Sequence, residues 1–183
     1  MTTTEAPKKN IGLLFGLINA GVSIVWTVIL YLGGIKLFTS PLNYLGIVFP
    51  IVICVMGGLQ QRKLQGGYLE FSEALKVTFL ILVIGSLIST IFDYILLNYI
   101  DVPFREALMQ DAAEKAERML AKLGMPQEKI DEAMEQAMNK NNYTIGKQLL
   151  GFAFRCIGLF IVALIVSAII KRKRPPFDNS FNQ

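Results

Sequence analysis

Residues 66–100 read GGYLEFSEALKVTFLILVIGSLISTIFDYILLNYI, and this stretch decides the fold of the chain. Two glycines and several charged residues come first, and the apolar run that follows is long enough to cross a bilayer, which takes about 20 residues. Ser86, Ser89 and Asp93 recur in that run at helical spacing, so they share one face. An ionisable residue inside an apolar span indicates a functional site whose partner has to be found.

Further apolar segments lie on both sides of this stretch. The chain of 183 residues is 53% apolar and only 17% charged, whereas soluble domains carry about 25% charged residues. We therefore expect an all-α integral membrane protein that forms one domain over residues 1–183. Its four transmembrane helices are predicted at residues 11–35, 44–61, 74–99 and 146–170. Pro50 falls inside the second of these spans and predicts a kink there.

The composition changes sharply between the third and fourth spans. Charged residues follow one another every few positions, and apolar residues recur at i+3 and i+4 spacing in two successive blocks. Gly124 and Pro126 separate the blocks and supply the residue types that end one helix and begin the next. This pattern predicts an amphipathic helical hairpin over residues 102–140.

Basic residues near the span ends predict the orientation in the membrane. Positive charge accumulates on the cytoplasmic side of membrane proteins. The chain places its basic clusters on one side if both termini are cytoplasmic and the hairpin is extracytoplasmic; these clusters are Lys8, Lys9, Arg62, Lys63 and residues 171–174. Residues 175–183 contain two prolines and little to bury, so we expect a disordered cytoplasmic tail.

Asp93 and Arg155 are the charges that lie deep in the third and fourth spans. In the predicted orientation their depths match to within a few ångströms at about 1.5 Å per helical residue. We therefore hypothesise a salt bridge between them, which would offset the cost of burying each charge in lipid. Such a pair could be architectural and set the register of two helices, or it could move or sense a proton or an ion.

A second polar stripe lies in the first span. Asn19, Ser23 and Thr27 recur every four residues, and Gly12, Gly16 and Ala20 form a stripe of small residues at the same spacing. We interpret Asn19, Ser23 and Thr27, together with Ser86 and Ser89 of the third span, as a polar face of the bundle. This face could pack helices together or line a path for a substrate.

The chain lacks the residues that several classes of chemistry require. Histidine is absent, which removes the commonest general base and metal ligand, and the two cysteines lie within apolar segments. We find no nucleophile with a base, no phosphate-binding glycine loop and no metal-ligand spacing. We therefore expect no enzyme activity, no cofactor and no metal. The methionines of the hairpin could in principle bind a soft metal, but packing or a partner helix explains them more simply; they are Met109, Met119, Met125, Met134 and Met138.

The basic run at the end of the last span favours lipid headgroups over nucleic acid. A short run of four basic residues next to a span is typical of a topology signal that contacts anionic lipids. These residues are Lys171, Arg172, Lys173 and Arg174.

The order of these parts resembles a known family. Gly66, Gly67, Phe71, Ala74 and Lys76, supported by the DYILLNYID run of residues 93–101, resemble the bacterial membrane family called domain of unknown function 4199. The resemblance covers most of the chain. It implies a four-span protein of the bacterial cytoplasmic membrane, chiefly in Bacteroidota. No activity and no functional residue can be inferred from it.

Two functions are compatible with these patterns. The first is a non-enzymatic interaction or accessory subunit of the bacterial inner membrane. Besides the lipid bilayer, it would contact a second copy or a partner membrane protein through residues 103–140. The alternative is a small oligomeric transporter or channel component with a polar path near Asp93 and Arg155.

Overall fold

The computed structural model describes residues 10–173, and that range contains seven α-helices. They are α1 (Ile11–Leu32), α2 (Gly34–Phe38), α3 (Val48–Leu64), α4 (Phe71–Ile95), α5 (Val102–Lys122), α6 (Gln127–Ala137) and α7 (Ile145–Ile170). Two 3₁₀ segments, Pro41–Ile47 and Lys140–Tyr143, precede α3 and α7. A π-helical segment, Leu96–Ile100, continues α4.

Four stretches of helix are long and apolar enough to cross a membrane. They are Ile11–Leu32, Pro41–Leu64, Phe71–Ile100 and Ile145–Ile170. The chain is thus an all-α, multi-pass membrane protein, as the sequence predicted. Lys8, Lys9, Arg174 and the predicted tail over residues 175–183 lie outside the described residues.

The described residues fall into two compact units. One consists of residues 10–23, 47–88 and 155–173, and the other of residues 24–46 and 89–154. We call them the first and the second unit and describe each by itself. The predicted single-domain organisation of residues 1–183 stays a prediction.

Several span boundaries differ from the sequence expectation by a few residues, and two of these differences have a local backbone reason. The first span ends at Leu32, three residues before its predicted end, because Gly34 has a φ of +76°, which interrupts a right-handed helix. In the second span, the α-helix begins only at Val48. Pro50 therefore lies in the first turn of α3, directly after the 3₁₀ segment. The kink expected at this proline stays a prediction.

The core of the first unit is built from α3, α4 and α7. Its buried residues come from all three helices and from the loop before α4; they are Ile53, Cys54, Leu69, Ala74, Ile81, Leu82, Ala163, Val166 and Ile170. Phe79 of α4 packs edge-to-face on Phe160 of α7 with ring centroids 5.5 Å apart. Side chains from three directions thus exclude lipid and water from the middle of this unit.

Helix α1 contacts α4 through small residues. A Cβ atom placed on Gly16 would lie 2.9 Å from the Cβ of Ile84, so only glycine allows the present approach. One turn further along, Asn19 lies against Gly85, where a Cβ atom would overlap the Asn19 amide. Close packing of this kind supplies van der Waals energy between helices in lipid, where the hydrophobic effect does not drive helices together.

The second unit contains the two charged helices α5 and α6, which contact each other. Gly124 ends α5 with a φ of +68°, and the amide of Met125 donates to the carbonyl of Leu120 at 3.1 Å. This is the hydrogen-bond pattern of a Schellman helix end. Pro126 then precedes α6. Leu108, Met109 and Ala113 of α5 and Ile130 of α6 are buried. We call these two helices the hairpin.

Candidate functional site

The second unit contains a cavity of about 430 Å³. We call it the Asp93 cavity. Its polar lining consists of Thr39, Asn43, Asp93, Asn98, Asp111, Lys115 and Gln148, and its aromatic lining of Phe38, Tyr94 and Tyr143. Leu97, Leu108 and Ala112 complete the wall. Its volume lies within the range of about 300–1,000 Å³ that is typical of pockets for small molecules.

The backbone around Asp93 is unusual. Asp93 lies near the end of α4, and the helix then widens, since the amide of Asp101 donates to the carbonyl of Leu96 at 2.8 Å, five residues back. Leu97 and Asn98 of this π-helical segment line the cavity directly. Short π-helical turns occur frequently at functional sites, because they displace side chains from the regular helical surface.

Lys115 is held in place at the cavity wall. Its ammonium lies 2.7 Å from the carboxylate of Asp111, one turn earlier on α5, and it donates to the carbonyl of Thr39 at 3.0 Å. Its two contacts connect α5 to the segment after α2. An exposed ion pair of this kind contributes little to stability, but its two fixed partners orient the ammonium.

Arg105 contacts two residues of the cavity wall, Asn98 and Tyr143. Its guanidinium donates to the side-chain oxygen of Asn98 at 2.8 Å and lies 6.0 Å from the ring centroid of Tyr143. Burial raises the pKa of Tyr143, and the positive charge of Arg105 opposes that shift. Tyr143 therefore stays a neutral phenol at physiological pH and presents both a ring and a hydroxyl to its surroundings.

Asp101 anchors the start of the hairpin. One carboxylate oxygen accepts from the backbone amide of Phe104 at 2.8 Å and the other from the hydroxyl of Tyr31 at 2.7 Å. The ring of Phe104 packs edge-to-face on Tyr31 and on Phe38, with centroid distances of 4.8 and 5.3 Å. This helix cap fixes how the chain passes from the third span into α5.

Sequence reasoning did not single out Asp101 as a cap, although a signal was present. An Asp two residues before a proline, ahead of a helical pattern, is typical of a helix N-terminus. The cavity residues Asn43, Lys115, Tyr143 and Gln148 were also missed. They come from separate segments and have no shared spacing that would connect them.

The structure places the two predicted intramembrane charges in different units. Asp93 is half-buried and lines the cavity of the second unit, whereas Arg155 is exposed at the start of the α7 portion that belongs to the first unit. The salt bridge between them stays a prediction. A Cβ atom on Gly151 or on Gly158 would meet no atom within 4 Å, so neither glycine is required by close packing within the chain.

The predicted polar face is buried to different degrees. Asn19 is only 2% exposed and donates to the carbonyl of Ile81 at 3.5 Å. Its other predicted members are half-buried; they are Ser23, Thr27, Ser86 and Ser89. The structure brings Asn19 together with α4, and the assignment of all five residues to one functional face stays a prediction.

A buried polar cluster in the first unit was not foreseen. The hydroxyls of Thr78 on α4 and Ser167 on α7 lie 2.8 Å apart, and both residues are 0% exposed. Each hydroxyl also lies within hydrogen-bonding distance of a carbonyl in its own helix, that of Ala74 at 2.8 Å and that of Ala163 at 2.6 Å. Cys54 donates to the Thr78 carbonyl at 3.6 Å. Each hydroxyl stands alone in an apolar run, so its partner could not be identified from spacing.

The family-like motif forms a structural turn. Gly66 and Gly67 have φ values of +74° and +89°, which side chains other than glycine rarely allow. They bring Leu69 to the end of α7, where it exchanges backbone hydrogen bonds of 2.9 and 2.8 Å with Arg172. Ala74 is completely buried in the core of the first unit. Lys76 is exposed.

A cavity of about 580 Å³ lies beside this turn. Its wall includes Glu70, Glu73 and Arg172. Lys171 lies 5.6 Å from the ring centroid of Phe71, and Arg62 donates to the carbonyl of Ile170 at 3.2 Å. The basic residues at the end of α7 thus also have contacts within the chain. Lipid headgroup contact by Lys171, Arg172 and Lys173 stays a prediction.

Within residues 10–173, no cluster of three or more His, Cys, Asp or Glu residues has a geometry that could hold a metal ion.

Comparison with curated proteins found no match, and comparison with solved structures found none either. A family described as "protein of unknown function (DUF4199)" matches residues 14–172. Because this match covers most of the chain, from the first span to the turn after the last, the chain belongs to the DUF4199 family.

Proposed function

We propose that the protein is a non-enzymatic interaction or accessory subunit of the bacterial inner membrane, with both termini in the cytoplasm and the hairpin on the opposite side. The distribution of basic residues supports this orientation. The absence of histidine supports a role without acid–base catalysis.

The observation that carries the proposal is an exposed apolar patch on the hairpin. Along the apolar stripe of α5, Leu108 and Met109 are buried, whereas Met119 and Leu123 are 65% and 66% exposed. Met125 in the following turn is 39% exposed. The stripe therefore continues beyond the part that the chain itself covers. Methionine-rich surfaces adapt to the shape of a partner, which suits an interaction surface.

Site-specific photocrosslinking in native membranes tests this contact. A benzophenone amino acid would be incorporated in place of Met119 or Leu123, and the membranes would be irradiated before detergent is added. We expect a protein adduct of discrete mass, which mass spectrometry would identify as a second copy or as a partner membrane protein. The matched control is incorporation at Glu117, an exposed position on the same helix outside the patch.

Two results would contradict the proposal. Lipid adducts alone at positions 119 and 123 would show that the patch lies in the membrane interface. Equal protein adducts at positions 117 and 119 would show random collisions rather than a defined contact.

The second candidate is a small oligomeric transporter or channel component, and the cavity lined by Asp93 favours it. A cavity that reaches an intramembrane carboxylate is what a polar path requires at one of its ends. Four spans rarely enclose a pore alone, so this function requires several copies, with Asn19, Ser23 and Arg155 contributing to the path.

Cysteine accessibility separates the two candidates. In a background without Cys54 and Cys156, Ser86→Cys would react with a charged, membrane-impermeant thiol reagent only if water reaches that depth. Reaction of Ser86→Cys from either side of the membrane would favour transport. The accessory function predicts that this cysteine is inert, while a control cysteine at exposed Glu117 reacts fully.

A further inference from the structure

The cavity of about 580 Å³ beside the double-glycine turn lies within the first unit and has charged groups of both signs in its wall. We call it the Glu70 cavity. Glu70 and Glu73 contribute carboxylates, Arg172 contributes a guanidinium, and Gln65 and Tyr68 add an amide and a phenol. The volume suits a small ligand, and the wall offers acceptors for a cation together with a donor for an anion.

The described part of the chain makes no use of these three charges. Within residues 10–173 the ion pairs all belong to the second unit. In the same range, neither carboxylate and not the Arg172 guanidinium has a side-chain hydrogen bond or an ion pair. The carboxylates of Glu70 and Glu73 are therefore available to accept from an ammonium, and the guanidinium is available to donate to a phosphate.

Backbone hydrogen bonds hold the two signs of charge near each other. Leu69 and Arg172 exchange backbone hydrogen bonds of 2.9 and 2.8 Å, and Glu70 is the next residue after Leu69. On the other side of the turn, the amide of Gly67 donates to the carbonyl of Arg62 at 2.9 Å. The segment with the carboxylates is thus joined directly to the segment with the guanidinium. This arrangement suits a ligand whose opposite charges are only a few bonds apart.

The position of the cavity indicates where such a ligand comes from. The second span ends at Leu64, the third begins at Phe71 and the fourth ends at Ile170, so the cavity lies where three spans meet the membrane surface. Leu64 lines the cavity and is 61% exposed, which gives the wall an apolar edge. Lipid headgroups occupy this level of a bilayer, whereas the acyl chains begin beside the span ends.

From these observations, we propose that the Glu70 cavity binds a phosphoethanolamine group. Its primary ammonium contacts Glu70 and Glu73, and its phosphate contacts Arg172. The group occurs in the headgroup of phosphatidylethanolamine and in water-soluble esters of the same chemistry. The site uses no residue of the exposed hairpin patch and does not depend on the orientation in the membrane, so this proposal and the proposed function can fail separately.

Native mass spectrometry of the delipidated full-length protein in detergent tests the proposal. The probes are phosphatidylethanolamine and phosphatidylcholine with identical acyl chains. The two lipids have the same net charge and the same phosphate, but the trimethylated nitrogen of phosphatidylcholine has no N–H to donate. We expect phosphatidylethanolamine to bind at least about threefold more tightly, since its ammonium can form charge-assisted hydrogen bonds to the carboxylates. Equal affinities, or tighter binding of phosphatidylcholine, would overturn the proposal without requiring any variant.

Substitutions at the exposed charges test the residues. Glu70→Gln combined with Glu73→Gln should abolish the preference between the two lipids, because it removes both acceptor charges. Arg172→Gln should weaken both lipids by about threefold and leave their ratio unchanged. Lys76→Gln is the matched control, because Lys76 is also exposed and basic but does not line the cavity. A full preference in the double variant, or equal losses in Arg172→Gln and Lys76→Gln, would show that the assignment is wrong.

Competition with glycerophosphoethanolamine distinguishes the two sources of the group. Displacement of the bound lipid by this soluble ester at millimolar concentration would show that the polar group alone is sufficient and that a free solute can occupy the site. A lipid complex that persists would show that the acyl chains contribute to binding, as the apolar edge at Leu64 predicts. Given the preference for phosphatidylethanolamine, either result supports the site and identifies its source.

Discussion

In the first unit, Thr78 and Ser167 are completely buried and their hydroxyls contact each other at 2.8 Å. In the second unit, Asp93 and Asp111 line a cavity of about 430 Å³. Both units place polar groups within or next to apolar spans. In the first, each hydroxyl is satisfied by a neighbour and by a carbonyl of its own helix. In the second, charged and aromatic groups surround open space.

The difference between these two polar groups indicates which unit could contain a functional site. A small hydroxyl that bonds within its own helix costs little in lipid and can hold two helices together. A carboxylate costs more, on the order of 3 kcal/mol at the centre of a span, so it is retained where it has a use. The first unit is therefore closely packed around its polar pair, and the candidate site lies in the second unit.

The largest expected effect on stability comes from adding a large side chain to the packed first unit, compared with adding one next to the cavity of the second. Gly85→Leu would overlap the amide of Asn19 and should destabilise the protein by about 3 kcal/mol. Ala112→Leu adds similar volume next to the cavity of the second unit and should cost less than about 1 kcal/mol. Reversible unfolding in mixed micelles measures both. Equal losses of unfolding free energy in the two variants would show that the two units are equally closely packed.

An intermediate effect is expected at the cap of α5. Asp101→Ala removes the acceptor for both the Phe104 amide and the Tyr31 hydroxyl, so it should destabilise the protein by about 2 kcal/mol. Hydrogen exchange at the first turn of α5 should accelerate in parallel. The control is Asp131→Ala, which removes an exposed carboxylate of α6 whose partner is Gln127. If both variants behave alike, the order of the second unit does not depend on this cap.

The smallest expected effect concerns the hydroxyl pair of the first unit. A double-mutant cycle of Thr78→Val and Ser167→Ala should give a coupling energy of about 0.6 kcal/mol, the average for polar pairs between membrane helices. Unfolding of the two single variants and the double variant in the same micelles measures it. A coupling of zero would mean that apolar packing alone holds α4 and α7 together in this unit.

The four spans were predictable because span length and apolar composition are local properties of the sequence. The π-helical segment and the 3₁₀ turn before α3 were not, since their residues have the same composition as the helices they adjoin. The turn at Gly66 and Gly67 was predictable because two adjacent glycines carry a clear backbone signal.

The candidate site was predictable only at Asp93, which stands out as a charge inside an apolar run. Asn43, Tyr143 and Gln148 reach the cavity from segments that are far apart in sequence. Each has the appearance of an ordinary polar residue in a loop or at a helix end. Their convergence is a property of the tertiary structure, which no spacing rule describes.

The segment Leu96–Ile100 has a further consequence for the second unit. Compared with an α-helix that spans the same height, a π-helical turn contains one additional residue, so it acts as a single-residue insertion. One residue corresponds to about 100° of helical rotation. The rotational phase of α5 relative to Asp93 therefore depends on this insertion as well as on the non-helical cap residue Asp101, which follows it with a φ of −138°. A relative that lacked the insertion would keep the same spans and present a different face of α5 to its aspartate.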